Sequence, residues 1–211
     1  MDFLPENINE FCEKYTSPEP EYLYRLNRET WLKTINPRML AGHLQGRVIS
    51  MLSQMIQPKV VLEIGTFTGY SALCWAEGAL EKVITVDCNE ELEEMAKKYF
   101  ALSPFRDKIE MRIGNALEII PQITEKLDAV YIDADKTNYS NYFDLVIDKV
   151  PSGGYIIADN VLWSGKVTLP ENEMDEDTKA LVEYCEKVHN DPRVFNVIFP
   201  IRDGLMICRK I

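Results

Sequence analysis

Residues 130–167 read VYIDADKTNYSNYFDLVIDKVPSGGYIIADNVLWSGKV, and two short apolar runs set the architecture from there outward. The runs AVYI and YII each end in a polar, acid-rich cluster: Asp133, Asp135 and Lys136 after the first, Asp159 and Asn160 after the second. A span of helical length separates them. Adjacent parallel strands in an open α/β sheet turn their carboxyl ends onto one crevice, where such folds bind ligands. If these two strands are neighbours, Asp133, Asp159 and Asn160 meet as three oxygen donors. That ligand set suits a hard divalent cation such as Mg²⁺, Ca²⁺ or Mn²⁺.

The same alternation continues to both sides. KVVLEI, KVITVD, KIEMRI, DAVYID and GYIIAD are β-branched apolar runs separated by spans of helical length, which predicts a parallel sheet covered on both faces. At the tail, RVFNVIFPI and GLMICRK flank Arg202-Asp203-Gly204, and an Asp-Gly turn between apolar runs predicts a hairpin and an antiparallel strand. Residues 1–58 carry no strand pattern; apolar residues three and four apart, punctuated by Pro18, Pro20, Pro37 and Pro58, predict helices that form a lid or a dimer element. The reading is one α/β domain over 1–211, with a helical element at 1–58 and a Rossmann-like core at 59–211.

VVLEIGTFTGYSAL places Glu63, Gly65 and Gly69 at the end of the first strand and the start of the next helix. Glycine there lets the backbone turn tightly and approach a ligand. The spacing is E-x-G-x-x-x-G, not the G-x-G-x-x-G of a pyrophosphate seat, which disfavours a nicotinamide oxidoreductase. Asp87 ends the second strand, where an acid can take both ribose hydroxyls, and Gly114-Asn115-Ala116 follows the third, where an adenine could be bordered. Together these suggest a cofactor with a ribose and no diphosphate.

The length of 211 residues suits one α/β domain. A formal charge of −11 argues against nucleic-acid and anionic-membrane partners, which want a basic surface. Five scattered cysteines without a CxxC pair fit reduced thiols and a cytoplasmic protein. MDFLPENINEFCEKY shows no signal-peptide pattern, and no apolar stretch approaches a membrane span. The acidic run at 171–179 reads as a solvated helix start rather than a second cation site.

VLEIGTFTGYSAL, the Asp87 strand end, GNALE, DAVYIDADKTNY, GGYIIADNVLWSGKV and PIRDGLMICRK, in this order and spacing, resemble the cation-dependent, S-adenosylmethionine-dependent class I O-methyltransferases of the caffeoyl-CoA and catechol type. The resemblance implies a Rossmann-like, mostly parallel seven-stranded sheet with a final antiparallel strand. It implies that Glu63, Gly65, Thr66, Ser71, Asp87, Ala116 and Asp135 contact S-adenosylmethionine, with Met39 beside it. It further implies that Asp133, Asp159 and Asn160 hold the cation, most simply Mg²⁺, and that Lys136 acts as general base on the acceptor hydroxyl. Trp163 and Tyr139 would wall a flat phenolic acceptor, with Ser164 alongside. A family hydroxyl residue is replaced here by Ala41 and a family asparagine by Ser164, departures that bear on the acceptor. The expected activity is methylation of a catechol-like small molecule by a homodimer. The alternatives are methylation of a hydroxylated uridine in tRNA, an activity found among relatives in this family, and a non-catalytic S-adenosylmethionine-binding regulator.

Overall fold

The computed structural model describes residues 5–211; Met1–Leu4, the start of the stretch read for a targeting signal, lie outside the described residues. The chain carries a seven-stranded, mostly parallel mixed sheet with helices around it. It divides into two compact units, residues 7–115 and residues 116–211, the latter together with Pro5 and Glu6.

The first unit begins with helices α1 (Glu6–Lys14), α2 (Glu21–Lys33) and α3 (Gly42–Ile56), as the apolar spacing predicts. It continues through β1 (Val60–Ile64), α4 (Tyr70–Ala76), β2 (Lys82–Asp87), α5 (Glu93–Leu102) and β3 (Ile109–Ile113). The strands run parallel in the order β3-β2-β1, with Leu62 opposite Ile84 and Thr85 opposite Met111. Every residue of β1 and of α4 is buried, which is why both read as mostly apolar runs, broken only by Glu63 and Ser71, rather than as alternating ones. Leu23 and Leu26 of α2 and Ile49 of α3 join Trp75 of α4 in the core. A half-buried Arg47–Glu77 ion pair ties α3 to the end of α4 and is completed by the Ser50 hydroxyl.

The second unit contains α6 (Ala116–Ile119), β4 (Ala129–Ile132), α7 (Tyr139–Ile147), β5 (Tyr155–Ala158), α8 (Glu176–Asn190), β6 (Val194–Phe199) and β7 (Leu205–Lys210). Its strand order is β4-β5-β7-β6. β4 and β5 are parallel, and β7 runs antiparallel to both of its neighbours, so the tail hairpin forms as its sequence predicts. The connection is longer than a two-residue turn: Phe199 and Leu205 pair, and Arg202 (φ 52°) and Gly204 (φ 87°) take left-handed conformations between them. The acidic run ends in a helix start: Asp175 caps α8 by accepting from the Thr178 amide. Among the described residues no helix is long and apolar enough to cross a membrane.

Candidate active site

Register brings the two acidic strand ends together. Ile132 is opposite Ala158, and the Asp159 amide donates to the Ile132 carbonyl (2.9 Å), so Asp133 and Asp159 leave neighbouring strands at the same level. Lys136 follows in a 3-10 turn (Lys136–Asn138), its side chain buried. Its Nζ donates to Tyr139 Oη (2.7 Å), Asn160 Oδ1 (2.8 Å) and Asp133 Oδ1 (3.3 Å). Nζ also lies 4.8 Å from the Tyr139 ring centroid and 5.5 Å from that of Trp163. Asp133, Asn160 and Lys136 thus form one cluster with Asp159 beside it. Burial and, after it, the Asp159 charge push the Asp133 carboxyl up to about 6, against the pull of Lys136.

These oxygens fit a cation. One carboxylate and an amide from adjacent strand ends accept from the Lys136 ammonium, and with the neighbouring Asp159 carboxylate they make up the donor set that hard divalent ions prefer. Asp159 is held in place: Oδ2 accepts from Tyr131 Oη (2.8 Å) and Oδ1 from the Asn160 amide (2.7 Å). Among the described residues no three carboxylate, imidazole or thiol side chains gather into a metal cluster, so the candidate set depends on the Asn160 amide.

Tyr139 is not the acceptor wall that the sequence suggested. It is wholly buried, packed edge-on against Tyr184, and its hydroxyl donates to the Asp159 carbonyl (3.1 Å) while accepting from Lys136. Burial explains the change: Tyr139 opens α7 on its inner face and reaches Lys136 from below. Asp135 is exposed; it accepts from the Tyr142 hydroxyl (2.5 Å) and from the Asn138 amide group. Ala116, at the start of α6, is buried.

The segment after β5 is bent by four left-handed residues, Asn160 (φ 59°), Trp163 (φ 43°), Ser164 (φ 56°) and Gly165 (φ 81°). For residues other than glycine this conformation costs roughly 1–2 kcal/mol each. The β6–β7 turn offsets that cost. Val161 N donates to the Gly204 carbonyl (3.2 Å), Leu162 N to the Asp203 carbonyl (2.9 Å), and Ser164 N to Asp203 Oδ1 (2.6 Å). Gly204 must be glycine: a Cβ there would lie 2.5 Å from Leu162 Cγ. Trp163 carries a buried Nε1 without a hydrogen-bond partner among the described residues. Asp203 was legible only as half of an Asp-Gly turn; nothing in the sequence linked it to a segment 39 residues earlier.

In the first unit the loop between β1 and α4 closes on Asp87. Gly65 (φ 101°), Phe67 (φ 49°) and Gly69 (φ 90°) curl it, and Asp87 Oδ2 accepts from the amides of Thr66 (2.9 Å) and Phe67 (2.7 Å). A side chain on Gly69 would press into the Phe100 ring, 2.5 Å away. Glu63 is wholly buried and accepts from Thr85 Oγ1 (2.5 Å), which in turn bonds Thr66 Oγ1 (2.5 Å). Glu63, Thr85, Thr66 and Asp87 therefore brace one loop from two strand ends. Ser71 is buried in the first turn of α4, and Met39, in a 3-10 turn before α3, is exposed.

A glycine loop after β1, an acid at the tip of β2 and a terminal antiparallel strand define a Rossmann-like class I methyltransferase. Solved structures share this fold: the SAH-bound methyltransferase PaMTH1 of Podospora anserina (TM-score 0.90, 23% identity, 100% of this chain and 99% of that one) and the Bacillus cereus O-methyltransferase in complex with SAH (TM-score 0.89, 25% identity, 97% of each). The O-methyltransferase family profile matches residues 13–211. Caffeoyl-CoA O-methyltransferase 1 of Eucalyptus globulus is 34% identical over 208 residues, covering 92% of this chain and 83% of the relative. Caffeoyl-CoA O-methyltransferase 5 of Nicotiana tabacum is 34% identical over 209 residues, covering 92% and 85%. The chain belongs to the O-methyltransferase family, and it is an S-adenosylmethionine-dependent enzyme of that class.

Proposed function

We propose that the protein methylates one hydroxyl of a catechol-like acceptor, with the acceptor and a divalent cation held at the ends of β4 and β5. The observation that carries this reading is the Lys136 ammonium within hydrogen-bonding distance of both Asp133 and Asn160, beside Asp159. S-adenosylmethionine supplies the methyl group from its sulfonium, and Met39, Glu63, Gly65, Thr66, Ser71, Asp87, Ala116 and Asp135 are the residues proposed to contact it. Asp133, Asp159 and Asn160 would hold the cation, Mg²⁺ or another oxygen-seeking divalent ion, whose charge would supply stabilisation for a deprotonated phenol.

The chain's own residues divide the remaining work. As the neutral amine, Lys136 Nζ takes the proton of the acceptor hydroxyl and becomes the ammonium, and Tyr139 Oη and Asn160 Oδ1 fix where that nitrogen sits. Trp163 offers a flat apolar face to the acceptor ring, with Ser164 next to it. A phenol titrates near pKa ~10, so an acceptor with two vicinal hydroxyls gains most from a neighbouring positive charge. We also propose a homodimer, supported by the exposed apolar residues Phe11, Trp31, Leu32, Met51 and Met55 on α1–α3. The acceptor is tested by incubating the enzyme with S-adenosylmethionine, Mg²⁺ and matched catechols and monophenols. Transfer to catechols and not to monophenols is expected; equal transfer to both would refute two-point acceptor binding.

A further inference from the structure

The β6–β7 turn has a second connection that the fold does not need. Strand pairing already closes the hairpin from Phe199–Leu205 onward, yet the turn directs a carboxylate and two carbonyls at the segment that follows β5. That segment begins with Asn160, whose Oδ1 accepts from Lys136, and carries Trp163, whose ring lies 5.5 Å from the same Nζ. We propose that Asp203 is a positioning residue for the acceptor side of the reaction: by accepting from the Ser164 amide it holds Trp163 and Ser164 in the left-handed conformation that presents the indole beside Lys136. This rests on the acceptor reading above, while its structural half stands apart from it.

The physical case is local. Trp163 and Ser164 are consecutive non-glycine residues with positive φ, a conformation that persists only where surrounding structure enforces it. The 2.6 Å bond from Ser164 N to Asp203 Oδ1 is the only charge-assisted one of the three from this turn, and it acts on the second of the two strained residues. The carbonyl bonds from Val161 and Leu162 do not reach beyond Leu162. An asparagine at 203 still offers Oδ1 to the Ser164 amide, whereas an alanine offers no side-chain acceptor.

The test compares Asp203→Ala and Asp203→Asn in the full chain. Hydrogen exchange of peptides spanning residues 160–168 needs no acceptor: about tenfold faster exchange is expected in Asp203→Ala, with near wild-type protection in Asp203→Asn. S-adenosylhomocysteine affinity by calorimetry is expected to stay within about twofold of wild type in both, while KM for a catechol rises about tenfold or more in Asp203→Ala alone. Unchanged exchange in Asp203→Ala, or exchange raised equally in both variants, would overturn the proposal. So would an unaltered catechol KM, or a fall in S-adenosylhomocysteine affinity matching any rise in KM. If the wild type transfers to no catechol, the acceptor reading fails and the exchange comparison still decides what Asp203 does. Should Asp203→Ala fail to fold, Asp203→Leu, of similar size and with no side-chain acceptor, carries the same comparison.

Discussion

Lys136 occupies an unusual position for a lysine: its ammonium is buried between two aromatic rings and bonded to a carboxylate, an amide and a phenol. If it takes the acceptor proton, Lys136→Met should lower kcat by about 10²–10⁴ and leave S-adenosylhomocysteine affinity within about twofold. An unchanged kcat would remove Lys136 from the chemistry. Asp159 separates charge from structure, because its carboxylate also receives the Tyr131 hydroxyl. Asp159→Asn keeps an acceptor for Tyr131 and should preserve the melting temperature while abolishing methyl transfer. Asp159→Ala should lose transfer and also about 1–3 kcal/mol of stability, because it removes the carboxylate that accepts from the buried Tyr131 hydroxyl. Activity retained in Asp159→Asn would contradict the cation site. Asp133, Asp159 and Lys136 were legible because each stands at the end of an apolar run. Tyr139 and Asp203 were not: the first depends on which face of α7 is buried, the second on a contact between distant turns.

At the scale of elements, α2 and α5 are joined by Glu29, whose carboxylate accepts from Lys33, Lys98 and Tyr99. Those bonds, from Lys33 first, hold its carboxyl down at about 2. A depressed carboxyl stabilises the fold above its unfolded value, and that contribution is lost as pH falls from about 4.5 through about 2. Glu29→Gln should therefore cost only about 0.5–1 kcal/mol at pH 7, given solvent screening, seen as a melting temperature lower by a few degrees. The difference from wild type should vanish near pH 2; a gap that persists in acid would assign it to packing. The central strands β1 and β4 were readable from their β-branched runs because burial on both faces leaves no alternation to misread. The loop after β1 was readable only in part. Its glycines announced a turn, but the Glu63–Thr85–Thr66 brace needs the register of β1 against β2.

For the whole molecule, the −11 charge and the exposed apolar residues of α1–α3 bear on association. Sedimentation should give twice the chain mass, and Trp31→Lys with Leu32→Lys should shift it toward the single-chain value; a wild-type monomer would contradict the homodimer. Fold class was legible along the whole sequence because every apolar run became the strand its composition indicated. The site was legible as a set of acids but not as a geometry, since the residues that orient those acids are tyrosines and a turn aspartate without a motif of their own. The most direct test of the central claim is methyl transfer from S-adenosylmethionine to a catechol before and after EDTA treatment, followed by added Mg²⁺. The account predicts transfer abolished by the chelator and restored by the ion; transfer that continues undiminished in EDTA would contradict it.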